Sequence, residues 1–161
     1  MKISTLLSRV ACVLLLAAAT ASSQQITIQK DASSQTVLSA ADIAAMPHTT
    51  VKVTDHEGPV TFSGVPLATI LQKAGVTLGE SLRGKRLASC LLVEAADNYR
   101  VVIALPELDP AFTDKQILLV DQREGKPLGE KEGPFRIVIP DEKRMARWIK
   151  QVKTLKIVDV Q

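Results

Sequence analysis

Apolar and polar positions change their period along this chain in a way that separates strands from helices. After a polar Ser22-Ser23-Gln24-Gln25 leader, Ile26 to Gln29 and Gln35 to Leu38 read as two short strands. Ser39 then stands at a helix N-cap position with Asp42 three residues on, the acidic half of a capping box, and Pro47 stops the helix. Thr50 to Thr54 alternates with β-branched residues and reaches Val60 to Phe62 across His56-Glu57-Gly58-Pro59, which predicts a hairpin. The period then switches. Leu67, Ile70, Leu71 and Ala74 fall at i, i+3, i+4 and i+7, an apolar helical stripe opened by Pro66 and closed by Gly75.

The second half returns to strands. Leu87 to Val93 and Tyr99 to Leu105 flank Ala96-Asp97-Asn98 with apolar residues on each face, the pattern of a hairpin covered on both sides. Ile117 to Val120 is a short apolar run broken by a turn at Arg123 to Lys126. Phe135 to Ile139 resumes with Phe135, Ile137 and Ile139 on one face, and Leu155 to Val160 closes the sequence. About seven or eight strands with two or three short helices, and no regular βαβ alternation, predict an α+β domain dominated by mixed sheet. No repeat and no linker divides it.

The amino end reads differently. Lys2 and Arg9, the apolar run Val10 to Ala19 and the small residues Ala19-Thr20-Ala21 predict a signal peptide over residues 1–21, cleaved after Ala21. Its apolar run is shorter than the ~20 residues that span a bilayer. Cys12 precedes most of that run, which is not the place of an acylated cysteine. Residues 22–34 then form a leader and first strand, and 35–161 the domain proper. The expected destination is the periplasm or the exterior. No twin arginine is present, so the chain is expected to be exported unfolded, before any bulky cofactor is inserted.

Processing removes Lys2 and Arg9 and lowers the formal charge from +3 to +1. With so little positive charge, and with Phe62, Tyr99, Phe112, Phe135 and Trp148 as the only aromatic residues, nucleic acid is not an expected partner. Cys90 is the only cysteine after Cys12, so no intramolecular disulfide forms in the processed chain.

Candidate chemistry is sparse. His48 and His56 lie in or beside turns with no cysteine at ligand spacing, and are expected to be solvent-facing. Cys90, flanked by Leu91 and Leu92, is expected to be a protonated core thiol. Glu107, Asp109 and Asp114 around Pro106 and Pro110 read as a solvated acidic turn. Lys143, Arg144, Arg147, Lys150, Lys153 and Lys156 form a basic cluster in which 144, 147 and 150 recur every third residue. It is either an anion-binding surface or an ordinary solvated face partly neutralised by Asp141 and Glu142. No catalytic residue and no metal ligand set stands out.

Several segments together resemble one family. Lys126-Pro127-Leu128, Gly133-Pro134, the strand Phe135-Arg136-Ile137-Val138-Ile139-Pro140, and Ala146-Arg147 with Lys150 are similar to the closing segment of the sulfite-oxidase-like molybdopterin-binding oxidoreductase domain. Phe62-Ser63-Gly64-Val65-Pro66-Leu67, Leu71 and Ala74-Gly75-Val76 resemble that family's tryptophan-x-glycine-x-proline-leucine opening of a helix, and Leu105 to Pro110 its leucine-aspartate-proline turn. The resemblance runs over about residues 35 to 160 with motif order kept. It implies a sulfite-oxidase-like mixed-sheet fold, a molybdopterin cofactor whose phosphate meets Arg147 and Lys150 with Arg144 beside them, and a separate redox partner in the same compartment. The family's metal-holding cysteine is expected near Lys52 to Thr54, where this chain has none. Molybdenum coordination of the usual kind is therefore not expected. The segment Asp141-Glu142-Lys143-Arg144-Met145 also departs from the small or aromatic residues, including a glycine, that relatives place between the strand-ending proline and the basic segment. Two classes of function remain open: a molybdopterin-type oxidoreductase or cofactor-binding domain, either binding a pterin or similar anion without cysteine-ligated molybdenum or serving as a genuine molybdenum oxidoreductase subunit, and a cofactor-free periplasmic binding or accessory module on the same scaffold.

Overall fold

Ser39 caps the first helix as its position predicts. In the computed structural model, which describes residues 24–160, Asp42 N–H donates to Ser39 Oγ at 3.1 Å and Ser39 N–H donates to Asp42 Oδ2 at 2.8 Å. This closes a capping box on α1 (Ala40–Ala44). The expected signal peptide and Cys12 lie outside the described residues.

Ten strands and two α-helices follow among the described residues. β1 (Gln25–Gln29), β2 (Gln35–Ser39), β5 (Cys90–Ala95), β6 (Arg100–Ala104) and β10 (Val152–Val158) form one sheet, ordered β2-β1-β10-β5-β6. β1 and β10 run parallel, with Thr27 opposite Thr154, and the remaining pairs are antiparallel. β3 (Thr49–Asp55), β4 (Gly58–Pro66), β7 (Leu118–Arg123) and the two-residue β8 (Lys126–Pro127) form the second sheet in that order, and β9 (Arg136–Val138) also pairs with β7. α2 (Leu67–Lys73) follows β4 directly, buries Leu67, Ile70 and Leu71, and ends at Gly75 with φ +79°. The buried faces of both sheets and both helices join in one apolar core, from Ile26, Ile28 and Leu155 to Phe62, Val120 and Ile137. The α+β, mixed-sheet class is the one expected.

Three local expectations are corrected. Leu87 to Ser89 is not strand, because residues Gly84–Ala88 form a 3₁₀ turn and the strand begins at Cys90. Gly84 at φ +59° starts the turn, and Arg86 ties it down by donating to Thr77 O at 2.9 Å. The β5–β6 hairpin is covered on one face only. Leu91, Val93, Val101 and Ile103 point into the core, while Arg100 and Val102 are exposed. Cys90 accordingly lies half-buried on the outer face opposite Ala104 and Val158, not in the core. Burial, helped by the Asp159 carboxylate, raises its pKa, so the thiol is the favoured form.

Gly64 in β4 is fixed by β7. A Cβ at this position would collide with Leu119 O and Val120 Cα and come within 2.8 Å of the Leu119 carbonyl carbon. The register of the β4–β7 pair shifts between Ser63 and Gly64, so the strands approach closest where no side chain stands.

Candidate functional site

β3 ends where the second sheet meets the segment after β9, and a row of charges lies there. Asp55 closes β3. Its Oδ2 lies 2.9 Å from Arg123 Nη1 at the end of β7, and Glu57 Oε2 lies 2.7 Å from Arg123 Nη2. Glu132 continues the row, with Oε2 3.5 Å from Arg123 Nη1, Oε1 2.6 Å from Arg136 Nη1 and Oε1 3.1 Å from Lys150 Nζ. Three carboxylates thus face three cations, and the row has no net charge. Burial disfavours ionising Asp55, but the Glu57 amide and the Arg123 guanidinium outweigh it and hold the carboxyl below the usual carboxylate range.

Arg136 is the member that sequence reasoning missed. Strand alternation would turn it to solvent opposite Phe135 and Ile137, yet its side chain is only 4% exposed. Its guanidinium carbon lies 5.1 Å from the Phe62 ring centre and 5.7 Å from that of Trp148, and the two rings meet edge to face at 6.4 Å. Burial and the neighbouring Arg123 charge lower its pKa despite Glu132. An arginine inside an otherwise apolar strand was the available signal, since such a charge must bring its partners with it.

The family-matched basic segment is also engaged. Residues Met145–Arg147 form one 3₁₀ turn, so Arg144, Arg147 and Lys150 do not share a helical face. Arg147 Nε donates to Glu142 Oε1 at 2.7 Å, and its Nη atoms reach Glu107 Oε2 at 3.3 Å and the Val102 carbonyl on β6 at 3.3 Å. Glu107 Oε2 also receives Lys115 Nζ at 3.1 Å. Arg147 therefore lies along the free edge of β6 and is balanced by two carboxylates, while Lys150 turns to Glu132. Arg144, Lys143 and Lys131 are exposed or half-exposed and make no ion pair among the described residues.

Two further expectations change. Asp109 is buried, accepts the amide of Ala111 at 2.9 Å and takes that of Gly79 as well. It is a structural clamp in the Leu105 to Pro110 turn and not a solvated acid. His48 is not solvent-facing. Nδ1–H donates to Met46 O at 2.7 Å, and Nε2 lies 3.1 Å from Asp121 Oδ1 on β7. Burial works against the charged ring, but acceptors at both nitrogens raise its pKa. His56 is exposed in the β3–β4 turn as expected, and the carboxylates beside it serve Arg123 and the Glu57 amide instead. Among the described residues no group of three or more His, Cys, Asp and Glu is arranged to hold a metal ion, and no helix is long and apolar enough to cross a membrane.

Beside Lys150 the chain forms a recess of about 370 Å³, between the tip of the β5–β6 hairpin and residues 145–151. Trp148 and Ile149 form its floor, and Tyr99 and Lys131 stand at its rim.

A family description, the oxidoreductase molybdopterin binding domain, matches residues 16–161. No curated protein matches the sequence. Among solved structures, the sulfane dehydrogenase SoxCD from Paracoccus pantotrophus superposes with a TM-score of 0.66 at 20% identity, over 85% of this chain. The chain spans 38% of that protein's length. This likeness concerns the fold.

Proposed function

The chain belongs to the oxidoreductase molybdopterin-binding domain family, and from that premise we propose that it is an exported member that binds a small anion and holds no cysteine-ligated molybdenum. The observation that carries this reading is the end of β3. Lys52, Val53 and Thr54 offer no soft sulfur donor at the expected ligand position, and the next residue, Asp55, is committed to Arg123. The one cysteine described, Cys90, belongs to the other sheet.

The phosphate-binding side supports the same view. A molybdopterin would bring negative charge to Arg147 and Lys150, which already face Glu107, Glu142 and Glu132. These donors do not fit the intact cofactor. The cations left for an anion are Lys131, Lys143 and Arg144, with Lys150 half in solvent. Anion recognition needs only such donors, whereas oxygen-atom transfer needs a held metal. The SoxCD protein is a dehydrogenase by name, and a redox partner for this chain would follow only if the metal were present.

The test is direct. Protein made in a host able to synthesise molybdopterin should contain far less than one molybdenum per chain by elemental analysis. It should release no stoichiometric pterin on acid oxidation. Intact mass of the exported product should place its amino end near Ser22. Stoichiometric molybdenum with a sulfur-linked redox activity would overturn the proposal.

A further inference from the structure

We propose that the recess between the β5–β6 hairpin and residues 145–151 is a shallow, solvent-open site for a small aromatic carboxylate. The inference rests on the reading above, that this chain binds an anion, and gives that anion its class. At about 370 Å³ the recess falls in the range of small-ligand pockets, roughly 300–1,000 Å³. Its walls are fastened together. Ala96 N–H donates to Gln151 O at 3.0 Å, Gln151 N–H to Glu132 O at 2.9 Å, and Gln151 Nε2 to Glu130 O at 2.9 Å. Three segments distant in sequence are thus joined at Gln151, whose φ of +50° is one that side chains rarely adopt.

The lining has two characters. Met145, Ala146, Trp148 and Ile149 give an apolar floor. Tyr99 is 50% exposed, but its hydroxyl donates to Ala146 O at 3.0 Å, so the ring is held as a fixed aromatic wall. Such a tethered, half-exposed ring offers a flat face at low entropic cost. At the rim, Lys131 has no carboxylate partner among the described residues, and the Lys150 side chain is 51% exposed while it contacts Glu132 at 3.1 Å. Asp97 is the single carboxylate in the lining, and its Oδ1 accepts the Tyr99 amide at 2.9 Å. With Lys150 held by Glu132, Lys131 is the unpaired cation at the rim among the described residues, and over an apolar, aromatic floor it suits a ligand with a flat ring and one negative group. A bare phosphate would leave the floor unused, and a cationic ligand would meet both lysines.

Trp148 is the only tryptophan and lines the recess, so its emission reports occupancy. The whole protein would be titrated with benzoate, cyclohexanecarboxylate and inorganic phosphate, following Trp148 fluorescence and the ¹⁵N amide shifts of Ala96 and Gln151. The expected result is saturable benzoate binding that weakens with salt and is several-fold tighter than binding of the other two. Tyr99→Leu should weaken benzoate about tenfold and Lys131→Gln several-fold, while Lys153→Gln should change nothing. Circular dichroism and unchanged unfolding midpoints would verify that the variants are folded. The proposal is overturned if neither probe moves at about 10 mM benzoate, at which even a weak millimolar site would be filled. It is equally overturned if cyclohexanecarboxylate or phosphate binds as well, or if Tyr99→Leu leaves affinity intact. Low molybdenum without benzoate binding would remove this inference alone. Stoichiometric molybdenum would remove the reading beneath it.

Discussion

Replacing Arg147 separates a structural cation from a free anion donor. In Arg147→Ala, Glu107 keeps Lys115, but Glu142 loses its guanidinium and the Val102 carbonyl on the β6 edge loses a donor. Bonds to charged groups contribute about 1.5–3 kcal/mol each when well sheltered. Here Arg147, Glu142 and Glu107 retain 28%, 16% and 30% side-chain exposure, so water recovers part of each. Roughly 1 kcal/mol per carboxylate is left, or about 2 kcal/mol in all. Lys150→Ala should cost less than about 1 kcal/mol, because Lys150 is half in solvent and Glu132 still has Arg136. Urea unfolding of both variants at neutral pH measures the difference. A pH series adds a second readout. Burial raises the Glu107 pKa, but the bonds from Arg147 and Lys115 outweigh it and leave the folded value depressed. The stabilisation is therefore present above the ordinary carboxylate value and is lost as pH falls through the folded one. The gap between wild type and Arg147→Ala should be widest near neutrality and close below about pH 4. If the two variants unfold within ~0.5 kcal/mol of each other at neutral pH, Arg147 is a free surface cation and the reasoning fails.

His48 should give a pH dependence of the opposite sign: its folded pKa is raised, so its stabilisation is complete below about 6.5 and declines as pH rises through the folded value. Urea midpoints between pH 5.5 and 8 should fall by more in wild type than in His48→Gln, and parallel curves would show that the Asp121 contact carries no weight. Gly64→Ala should cost about 3 kcal/mol or prevent folding, because the added methyl meets β7 backbone that cannot move aside. Gly129→Ala, with nothing within 4 Å of the new carbon, is the control and should shift the midpoint by less than ~0.5 kcal/mol.

The elements were legible where local chemistry and periodicity agreed. The Ser39–Asp42 box, the stripe Leu67, Ile70 and Leu71, and the hairpin around Gly58 all form as read, since each depends on residues close in sequence. Leu87 was misplaced because an apolar run has no period to distinguish strand from turn, and the backbone of Gly84 decided the matter. At the site, the missing thiol was plain in the sequence, but its replacement was not. The ion row joins Asp55, Arg123, Glu132 and Arg136 from separate elements, and no spacing rule connects them. The same distance in sequence hid Asp121 as the partner of His48 and Glu107 as a partner of Arg147. Glu142, five residues before Arg147, was legible as a neutralising carboxylate and does pair with it, whereas Glu107 and Glu132 became visible as partners only in the fold.

β10 is the last of the described strands but central in its sheet. Until Val152–Val158 is in place, the β1–β2 and β5–β6 ribbons have no strand between them, and β1 and β5 each present an open edge. Closure joins Thr27 to Thr154 across nearly the whole sequence, which is the slow kind of contact to form. Without these seven residues the sheet cannot be completed. The order of the strands thus makes β10 the keystone of its sheet, so damage to that one strand would be felt in both ribbons at once instead of at a single edge.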